Sequence, residues 1–171
     1  MAKVLVTGAA GFIGSAVVKQ LNAQGTPVVA VDGLLGGLYP SDEKIVRFEQ
    51  LKALAGVETF ELDLRDADLG ILPDDIDYVI NEAAMPGLGL SWIAFELYSS
   101  CNLSALSRLI EASTKWDLKK FIQISTSSVY GKSAVGDETQ DLKPVSPYGV
   151  TKLAAEQLVL AHHRDSGFPA M

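Results

Sequence analysis

Short apolar runs alternate with segments of helical spacing along this chain. The apolar runs predict strands over residues 3–7, 28–31, 57–62, 78–81 and 121–124. Between them, apolar residues at helical spacing predict helices from 12 up to a stop at Gly25, then over 42–54, 92–115 and 146–165, while segment 36–40 predicts a loop. Strands that alternate with helices in this way indicate an α/β fold with a parallel sheet.

Composition and charge exclude several classes of function. The chain has 171 residues, 48% of them apolar, which suits one globular domain with a full core. A net charge of −7 argues against binding to nucleic acid or to an anionic membrane. No apolar run reaches membrane-spanning length, and the first strand begins too early for a signal peptide, so we expect no membrane insertion. Cys101 is the one cysteine, which predicts no disulfide and fits a cytoplasmic location.

The first predicted strand leads into a glycine-rich turn and then into a helix. The segment from Lys3 to Gly14 reads KVLVTGAAGFIG. The free N–H groups and the dipole at a helix N-terminus suit a phosphate. Gly8 can turn with positive φ, Gly11 lets a pyrophosphate approach the backbone, and Gly14 lets the helix pack closely on the strand. The alternative is an ordinary strand-turn-helix corner.

An acidic residue ends the second predicted strand, about twenty residues after the glycine turn. Asp32 is placed there to accept hydrogen bonds from an adenosine ribose. The residues at 33–35 are Gly, Leu and Leu, with no cation to meet a 2′-phosphate, which favours NAD over NADP. The alternative is that Asp32 only forms a turn before a glycine.

Tyr148 and Lys152 lie four residues apart in the last predicted helix, so their side chains share one face. A nearby ammonium stabilises a phenolate, so we expect the pKa of Tyr148 to fall from about 10 toward neutrality, where the group serves as a base. Thr126 stands in a polar cluster after the last strand and can hydrogen-bond to the same substrate hydroxyl. A single pair of this kind is usually structural, but here it follows the glycine turn and Asp32 in order.

These motifs resemble the extended branch of the short-chain dehydrogenase/reductase superfamily, the NAD-dependent epimerase/dehydratase family of nucleotide-sugar enzymes. The G-x-x-G-x-x-G spacing of Thr-Gly-Ala-Ala-Gly-Phe-Ile-Gly is similar to the cofactor loop of that branch. The resemblance implies a three-layer, Rossmann-like, doubly wound parallel sheet of about five strands in the order 3-2-1-4-5. Because such relatives are about twice as long, we expect residues 1–171 to be an NAD-binding domain that ends at the start of a sixth strand, with the C-terminal substrate domain missing.

The same resemblance assigns the site residues. It implies catalytic roles for Thr126, Tyr148 and Lys152. Cofactor contacts are implied for Gly8, Gly11, Phe12, Ile13, Gly14, Asp32, Asp63, Leu64, Ala83, Ala84, Asn102, Tyr148 and Lys152. Among these, Asp63 would meet the adenine amino group, and Asn102 would support the catalytic lysine through the local backbone. Glu82 stands where family members commonly carry His. No metal site is expected, since His162 and His163 are adjacent rather than four apart.

By the same resemblance, the reaction moves a hydride from a sugar carbon to NAD⁺ while Tyr148 takes the hydroxyl proton, which gives a 4-keto sugar. An epimerase then returns the hydride to the other face. A 4,6-dehydratase typically has Asp-Glu after the catalytic threonine, where this chain has Ser127 and Ser128, so epimerase ranks above dehydratase and above sugar dehydrogenase or reductase. Segment 85–91 lacks the arginine that uronate epimerases often carry, which argues against a uronate substrate.

The expected partners follow from the same family. They are a nucleotide-diphosphate sugar, with a UDP-sugar favoured, and a second copy of the chain in a homodimer through helices 92–115 and 146–165. A hypothesis of another class remains open, that of a catalytically idle NAD-binding sensor or interaction module. Both hypotheses predict NAD binding, and they differ in turnover.

Overall fold

In the computed structural model, which describes residues 2–37 and 40–171, five strands form one parallel sheet. The strand order is β3-β2-β1-β4-β5, as the family resemblance implies. The strands are β1 (Val4–Thr7), β2 (Val28–Asp32), β3 (Val57–Glu61), β4 (Tyr78–Asn81) and β5 (Lys120–Gln123). In the loop predicted over 36–40, Leu38 and Tyr39 lie outside the described residues.

Helices connect the strands and cover the sheet. They are α1 (Phe12–Ala23), α2 (Asp42–Lys52), α3 (Phe95–Ser99), α4 (Ala105–Ser113) and α5 (Pro147–Ser166). The helix α5 has a well-defined start, because the Ser146 hydroxyl accepts a hydrogen bond from the Gly149 amide at 3.0 Å. It stops at Gly167, whose φ of 71° is the left-handed conformation that ends many helices. No helix within these ranges is both long and apolar enough to cross a membrane.

The helix predicted over 92–115 is shorter and less regular than expected. Regular α-helix begins only at Phe95, after a separate 3₁₀ turn over Leu90–Trp92, and it ends at Ser113. Between α3 and α4 the chain makes a π-helical turn, Ser100–Ser104. Apolar periodicity did not reveal this turn, because it is only five residues long and α-helix lies on both sides of it.

The sheet buries both of its faces, which produces the expected three layers. Leu5 points to one face of β1, whereas Val4 and Val6 point to the other. On the first face α4 and α5 close the core, with Leu106, Leu109, Ile110, Ala155 and Val159. On the second face α1 and α2 close a smaller core, with Val18 and Leu51. A parallel sheet covered in this way explains why its strands read as continuous apolar runs.

The outer edge of β5 pairs with the last residues of the sequence. The Phe121 amide donates to the Pro169 carbonyl at 2.7 Å, and the Met171 amide donates to the Phe121 carbonyl at 2.8 Å. Phe121 and Ala170 form a parallel bridge. The segment expected to begin a sixth strand therefore does pair in parallel with the fifth.

Two glycines bring β1, α1 and β4 close together. Gly8 has a φ of 64°, and a Cβ on it would lie 2.8 Å from both the carbonyl carbon of Glu82 and the amide nitrogen of Ala83. A Cβ on Gly14 would lie 2.2 Å from the Gly8 carbonyl oxygen. Because these neighbours are backbone atoms, a side chain at either position requires the strand ends and the helix to move apart.

We predict that Gly14→Ala destabilises the fold by about 3 kcal/mol, because the added methyl collides with backbone rather than with a movable side chain. Gly89→Ala is the matched control, since its φ is −64° and no atom lies within 4 Å of the added Cβ. That variant should stay within about 0.5 kcal/mol of the wild type. Urea unfolding measures both. Equal stability of the two variants would contradict the predicted close packing.

Candidate functional site

A cavity of about 620 Å³ opens where the strands β1, β2, β4 and β5 end. It brings together most of the residues singled out in the sequence: Gly8, Gly11, Phe12, Ile13, Gly14, Asp32, Asp63, Leu64, Ala83, Ala84, Tyr148 and Lys152. Two of the predicted site residues, Thr126 and Asn102, do not line it. The size is that of a pocket for an organic ligand.

The glycine turn forms the floor of this cavity beside the start of α1. The Gly11 amide donates to the Gly8 carbonyl at 2.9 Å, which closes the turn, and the Ala9 amide donates to the Val31 carbonyl at 3.1 Å. Phe12 begins α1 with its side chain 85% exposed. The first turn of the helix thus presents backbone N–H groups and the positive end of its dipole to the cavity, an arrangement that suits a phosphate.

Asp32 has the turn-forming role that the sequence left open, and it also lines the cavity. Its carboxylate is buried, and one oxygen accepts a hydrogen bond from the Ala10 amide at 3.0 Å, which ties the glycine turn to β2. The other oxygen accepts from the Leu34 amide at 2.8 Å, which forms a turn after the strand. Since the side chain also lines the cavity, it remains a candidate for contact with a ribose.

Cations from elsewhere in the chain reach this side of the cavity. Lys44 of α2 places its Nζ 3.9 Å from an Asp32 carboxylate oxygen, although no cation follows Asp32 directly in sequence. Arg47, one turn further along α2, donates from Nε to the Ala10 carbonyl at 2.8 Å. Lys44 and Arg47 are three residues apart on one predicted helix, which puts both side chains on one face. This spacing could have indicated the pair from the sequence.

Asp63 is held by an arginine two residues away. The Arg65 amide donates to the Asp63 carboxylate at 3.0 Å, and its guanidinium donates to the same carboxylate from Nη2 at 2.6 Å. These hydrogen bonds lower the pKa of Asp63, and burial opposes them. The carboxylate therefore lines the cavity as an anion whose charge is already paired.

Lys152 is almost fully buried. Its Nζ donates to the Ile124 carbonyl at 2.5 Å, and the same carbonyl accepts from Gln123 Nε2 at 3.0 Å. Burial lowers the pKa of Lys152, while the charges of Glu82 and Glu156 raise it. The ammonium is thus stabilised by one carbonyl and two carboxylates at the wall of the cavity.

The pKa of Tyr148 differs from the expected fall toward neutrality. Burial raises it above its ordinary value near 10, the neighbouring Thr126 hydroxyl lowers it by hydrogen bonding, and the charge of Glu82 raises it further. The expectation considered only the four-residue spacing to Lys152, whose hydrogen bond here goes to Ile124 instead. Desolvation and the nearby carboxylate of Glu82 decide the direction of the pKa shift. The four-residue spacing reveals neither of them.

Thr126 and Asn102 act behind the cavity wall. The Thr126 hydroxyl accepts from the Ser128 amide at 3.2 Å and so starts the 3₁₀ turn Ser127–Tyr130. Asn102 lies in the π-helical turn, where its side chain accepts from the Met85 amide at 2.7 Å and donates to the Thr151 hydroxyl at 3.0 Å. It therefore links the segment after β4 to the residue next to Lys152.

A hydrogen-bonded network that the sequence did not indicate joins three strand ends. The Thr7 hydroxyl donates to Asn81 Oδ1 at 2.5 Å and accepts from the Ala83 amide at 3.2 Å. Asn81 Nδ2 donates to Gln123 Oε1 at 2.7 Å, and Gln123 in turn donates to the Ile124 carbonyl. The sequence feature that could have indicated this network is a polar residue at the last position of each of the strands β1, β4 and β5.

No cluster of three or more His, Cys, Asp or Glu side chains that could hold a metal ion occurs among residues 2–37 and 40–171. The cavity is lined by the glycine turn, by the carboxylates of Asp32, Asp63 and Glu82, and by the pair Tyr148 and Lys152.

We predict that Lys152→Met stabilises the fold by about 1 kcal/mol at neutral pH, because it removes a buried charge while Gln123 still satisfies the Ile124 carbonyl. The pKa of Lys152 is lowered in the folded state, so the penalty is complete below that pKa. It disappears as pH rises toward the unfolded value of about 10.4. Urea unfolding between pH 7 and 10 tests this. A variant less stable than the wild type at pH 7 would overturn the prediction.

Comparison with known proteins places this geometry in a family. The model of the "NAD dependent epimerase/dehydratase family" matches residues 4–171. An uncharacterised UDP-glucose epimerase of Bacillus subtilis (strain 168) is 38% identical over 98% of this chain and 54% of its own length. A dTDP-glucose 4,6-dehydratase of Streptomyces griseus is 33% identical over 95% of this chain and 50% of its own.

Solved structures agree with these relatives. The UDP-glucuronic acid 4-epimerase from Bacillus cereus, in complex with UDP-glucuronic acid and NAD, superposes with a TM-score of 0.92 at 40% identity, over 99% of this chain and 55% of that one. This chain spans about half the length of the curated relatives it matches. Because the family model covers nearly every residue, the chain belongs to the NAD-dependent epimerase/dehydratase family.

Proposed function

We propose that residues 1–171 are the NAD-binding domain of a nucleotide-sugar epimerase, and that oxidation at C4 of the sugar followed by reduction from the other face is its reaction. The observation that carries this proposal is the single cavity that holds the glycine turn, Asp32, Tyr148 and Lys152 together. Such a reaction needs a phosphate site, a ribose acceptor and an acid/base pair at the same end of the sheet.

The described residues fit an NAD molecule. Gly8 and Gly14 leave a backbone cradle at the start of α1 that any Cβ would fill, and this cradle would hold the pyrophosphate. Asp32 would accept hydrogen bonds from the adenosine ribose, and Asp63, which lines the same cavity, would meet the adenine. NAD supplies the hydride acceptor and donor when it is bound.

The chain's own residues would handle the proton. Tyr148, as a phenolate, would accept the proton from the sugar hydroxyl at C4 and become a neutral phenol. The Thr126 hydroxyl favours the phenolate before this transfer, in accord with its lowering of the pKa of Tyr148. Lys152 supplies a positive charge at the same wall of the cavity. Lys152 is buried, and Tyr148 and Thr126 are half-buried, which limits the access of water and strengthens these interactions.

Epimerisation is favoured over dehydration by the residues that follow Thr126. Ser127 and Ser128 occupy a 3₁₀ turn, and neither offers a carboxyl group for the elimination of water. Segment 85–91 contains no cation to meet a sugar carboxylate, which supports a neutral UDP-hexose as substrate, although at least two similar structures contain UDP-glucuronic acid. The raised pKa of Tyr148 favours one second candidate, an idle NAD-binding module, because a neutral phenol performs no base catalysis.

We also propose a homodimer through the helices expected over 92–115 and 146–165, which correspond to α3, α4 and α5. Exposed apolar side chains on α3 and α5 support it: Phe95, Val150 and Leu160. A cytoplasmic location suits a chain whose one cysteine, Cys101, is buried and has no disulfide partner.

We predict that NAD⁺ binds and that Asp32→Asn weakens it about tenfold or more, because a charged acceptor for the ribose is lost. Asp74→Asn is the matched control: it makes the same change at an exposed carboxylate that does not line the cavity. Isothermal calorimetry on the folded chain measures both. Absence of NAD⁺ binding would overturn both candidate functions.

We predict interconversion of UDP-glucose and UDP-galactose, with kcat about 10²-fold to 10⁴-fold lower in Tyr148→Phe. Tyr78→Phe, which removes a phenol on β4 outside the cavity, should retain the wild-type rate. Turnover is measured by chromatography of the nucleotide sugars, with UDP-glucuronic acid as a competing substrate. NAD⁺ binding without conversion of any of these sugars would favour the idle module.

A further inference from the structure

We propose that residues 33–37, the loop after β2, form a strap that closes the cavity and opens to let the cofactor enter or leave. The inference rests on the proposed function for the identity of that cofactor, NAD. Three features of the structure carry it: the path of the strap across the end of the sheet, a strained residue near its start, and the weak attachment of its backbone.

The strap connects the ends of two strands that are not neighbours in the sheet. Its first residue follows β2, and at its last residue, Gly37, a Cβ would lie 2.5 Å from Sδ of Met85 in the segment after β4. Because β1 lies between β2 and β4, the strap passes the end of β1. The glycine turn that follows β1 lines the same cavity as Leu35, Gly37 and Met85. The turn and the strap are therefore two walls of one cavity.

The side chain of Leu35 attaches the middle of the strap to the site. It is partly buried and packs against the buried cluster of Met85, Tyr98 and Cys101, against which Tyr148 packs as well. The strap thus reaches the wall that carries the proposed base. A dinucleotide that extends from the end of β2 to Tyr148 would lie along this path, so the closed strap would cover it and limit its exchange.

The backbone near the start of the strap is strained. Leu34 has a φ of 51°, and it is the one non-glycine residue with a positive φ within residues 2–37 and 40–171. The Cβ of leucine disfavours this conformation, so another interaction must hold it. The Asp32 carboxylate does so, because its Oδ1 accepts a hydrogen bond from the Leu34 amide at 2.8 Å. The proposed ribose acceptor is therefore also the anchor of the closed strap.

The two partners in the contact between the strap and Met85 are held with different firmness. Asn102 fixes Met85, since its side chain accepts from the Met85 amide at 2.7 Å and donates to the Met85 carbonyl at 3.3 Å. The strap contains neither helix nor strand, and the Leu34 amide makes the one hydrogen bond from its backbone to the rest of the described chain. Opening therefore moves the strap, relieves the strain at Leu34 and leaves Met85 in place.

The test is the rate at which iodoacetamide alkylates Cys101, the one cysteine of the chain, which is buried in the cluster that Leu35 covers. Intact mass spectrometry follows the reaction at one fixed pH. In Leu35→Ala the rate should rise roughly tenfold, because the open strap gains population when the apolar contact is lost. Leu54→Ala is the matched control: it truncates a partly buried leucine in the core on the other face of the sheet, outside the cavity, and should leave the rate unchanged. Equal rates in folded Leu35→Ala and the wild type overturn the proposal.

Two glycine variants keep the proposal testable if Leu35→Ala fails to fold. Gly37→Val forces the strap away from Met85, because the added Cβ alone would overlap the Met85 thioether. Gly36→Val adds the same side chain at a position where no atom lies within 4 Å of the new Cβ. Cys101 should therefore react faster in Gly37→Val than in Gly36→Val. Equal rates, or the opposite order, would count against a closed strap and overturn the proposal.

Release of bound NADH supplies the functional readout. Displacement of NADH by excess NAD⁺, followed by the change in NADH fluorescence, should be roughly tenfold faster in Leu35→Ala than in the wild type or in Leu54→Ala. Equal release rates would overturn the role of the strap in cofactor exchange. Alkylation of Cys101 needs no cofactor, so a failure of the proposed function, seen as absence of NAD⁺ binding, remains distinguishable from a failure of this inference.

Discussion

The contact between Gly8 and the end of β4 is the constraint on which the site depends. No side chain separates the β1 turn from the backbone of Glu82 and Ala83, and the Gly8 carbonyl packs equally closely against Gly14 of α1. Because three elements meet without intervening atoms, the helix N-terminus and the ends of β1 and β4 present their backbone to one cavity. A larger residue at either glycine would separate the phosphate cradle from the acid/base pair.

The second constraint on the site is the buried ammonium of Lys152. Lys152 lies almost without solvent, so it requires acceptors from the protein, and the Ile124 carbonyl provides the nearest one. The network through Thr7, Asn81 and Gln123 holds that carbonyl in place from three strand ends. The glycine turn and the lysine are thereby connected through hydrogen bonds in the middle of the sheet, which ties the cofactor side of the proposed site to its chemical side.

The charged side chains on the two sides of the cavity differ in how they are held. Beside β2 and β3, the carboxylate of Asp63 is directly paired with Arg65, and that of Asp32 accepts hydrogen bonds from two backbone amides, so both are held in position. Beside β4 and β5, Glu82 and Lys152 line the cavity with no hydrogen bond or ion pair between them, because the Lys152 ammonium donates to Ile124. Carboxylates that hydrogen bonds hold in position suit recognition of a ligand.

The sequence by itself determined the strand order, through its family resemblance, and the three glycines, Asp32 and the pair Tyr148 and Lys152 that the cavity brings together. The glycines, Asp32 and the pair Tyr148 and Lys152 are local features, because each depends on one strand end or on helical spacing. Only the tertiary structure decided the π-helical turn at Asn102, the approach of Lys44 to Asp32, and the pKa direction of Tyr148. Those depend on burial and on partners distant in sequence, and neither is encoded in the spacing of residues along one segment.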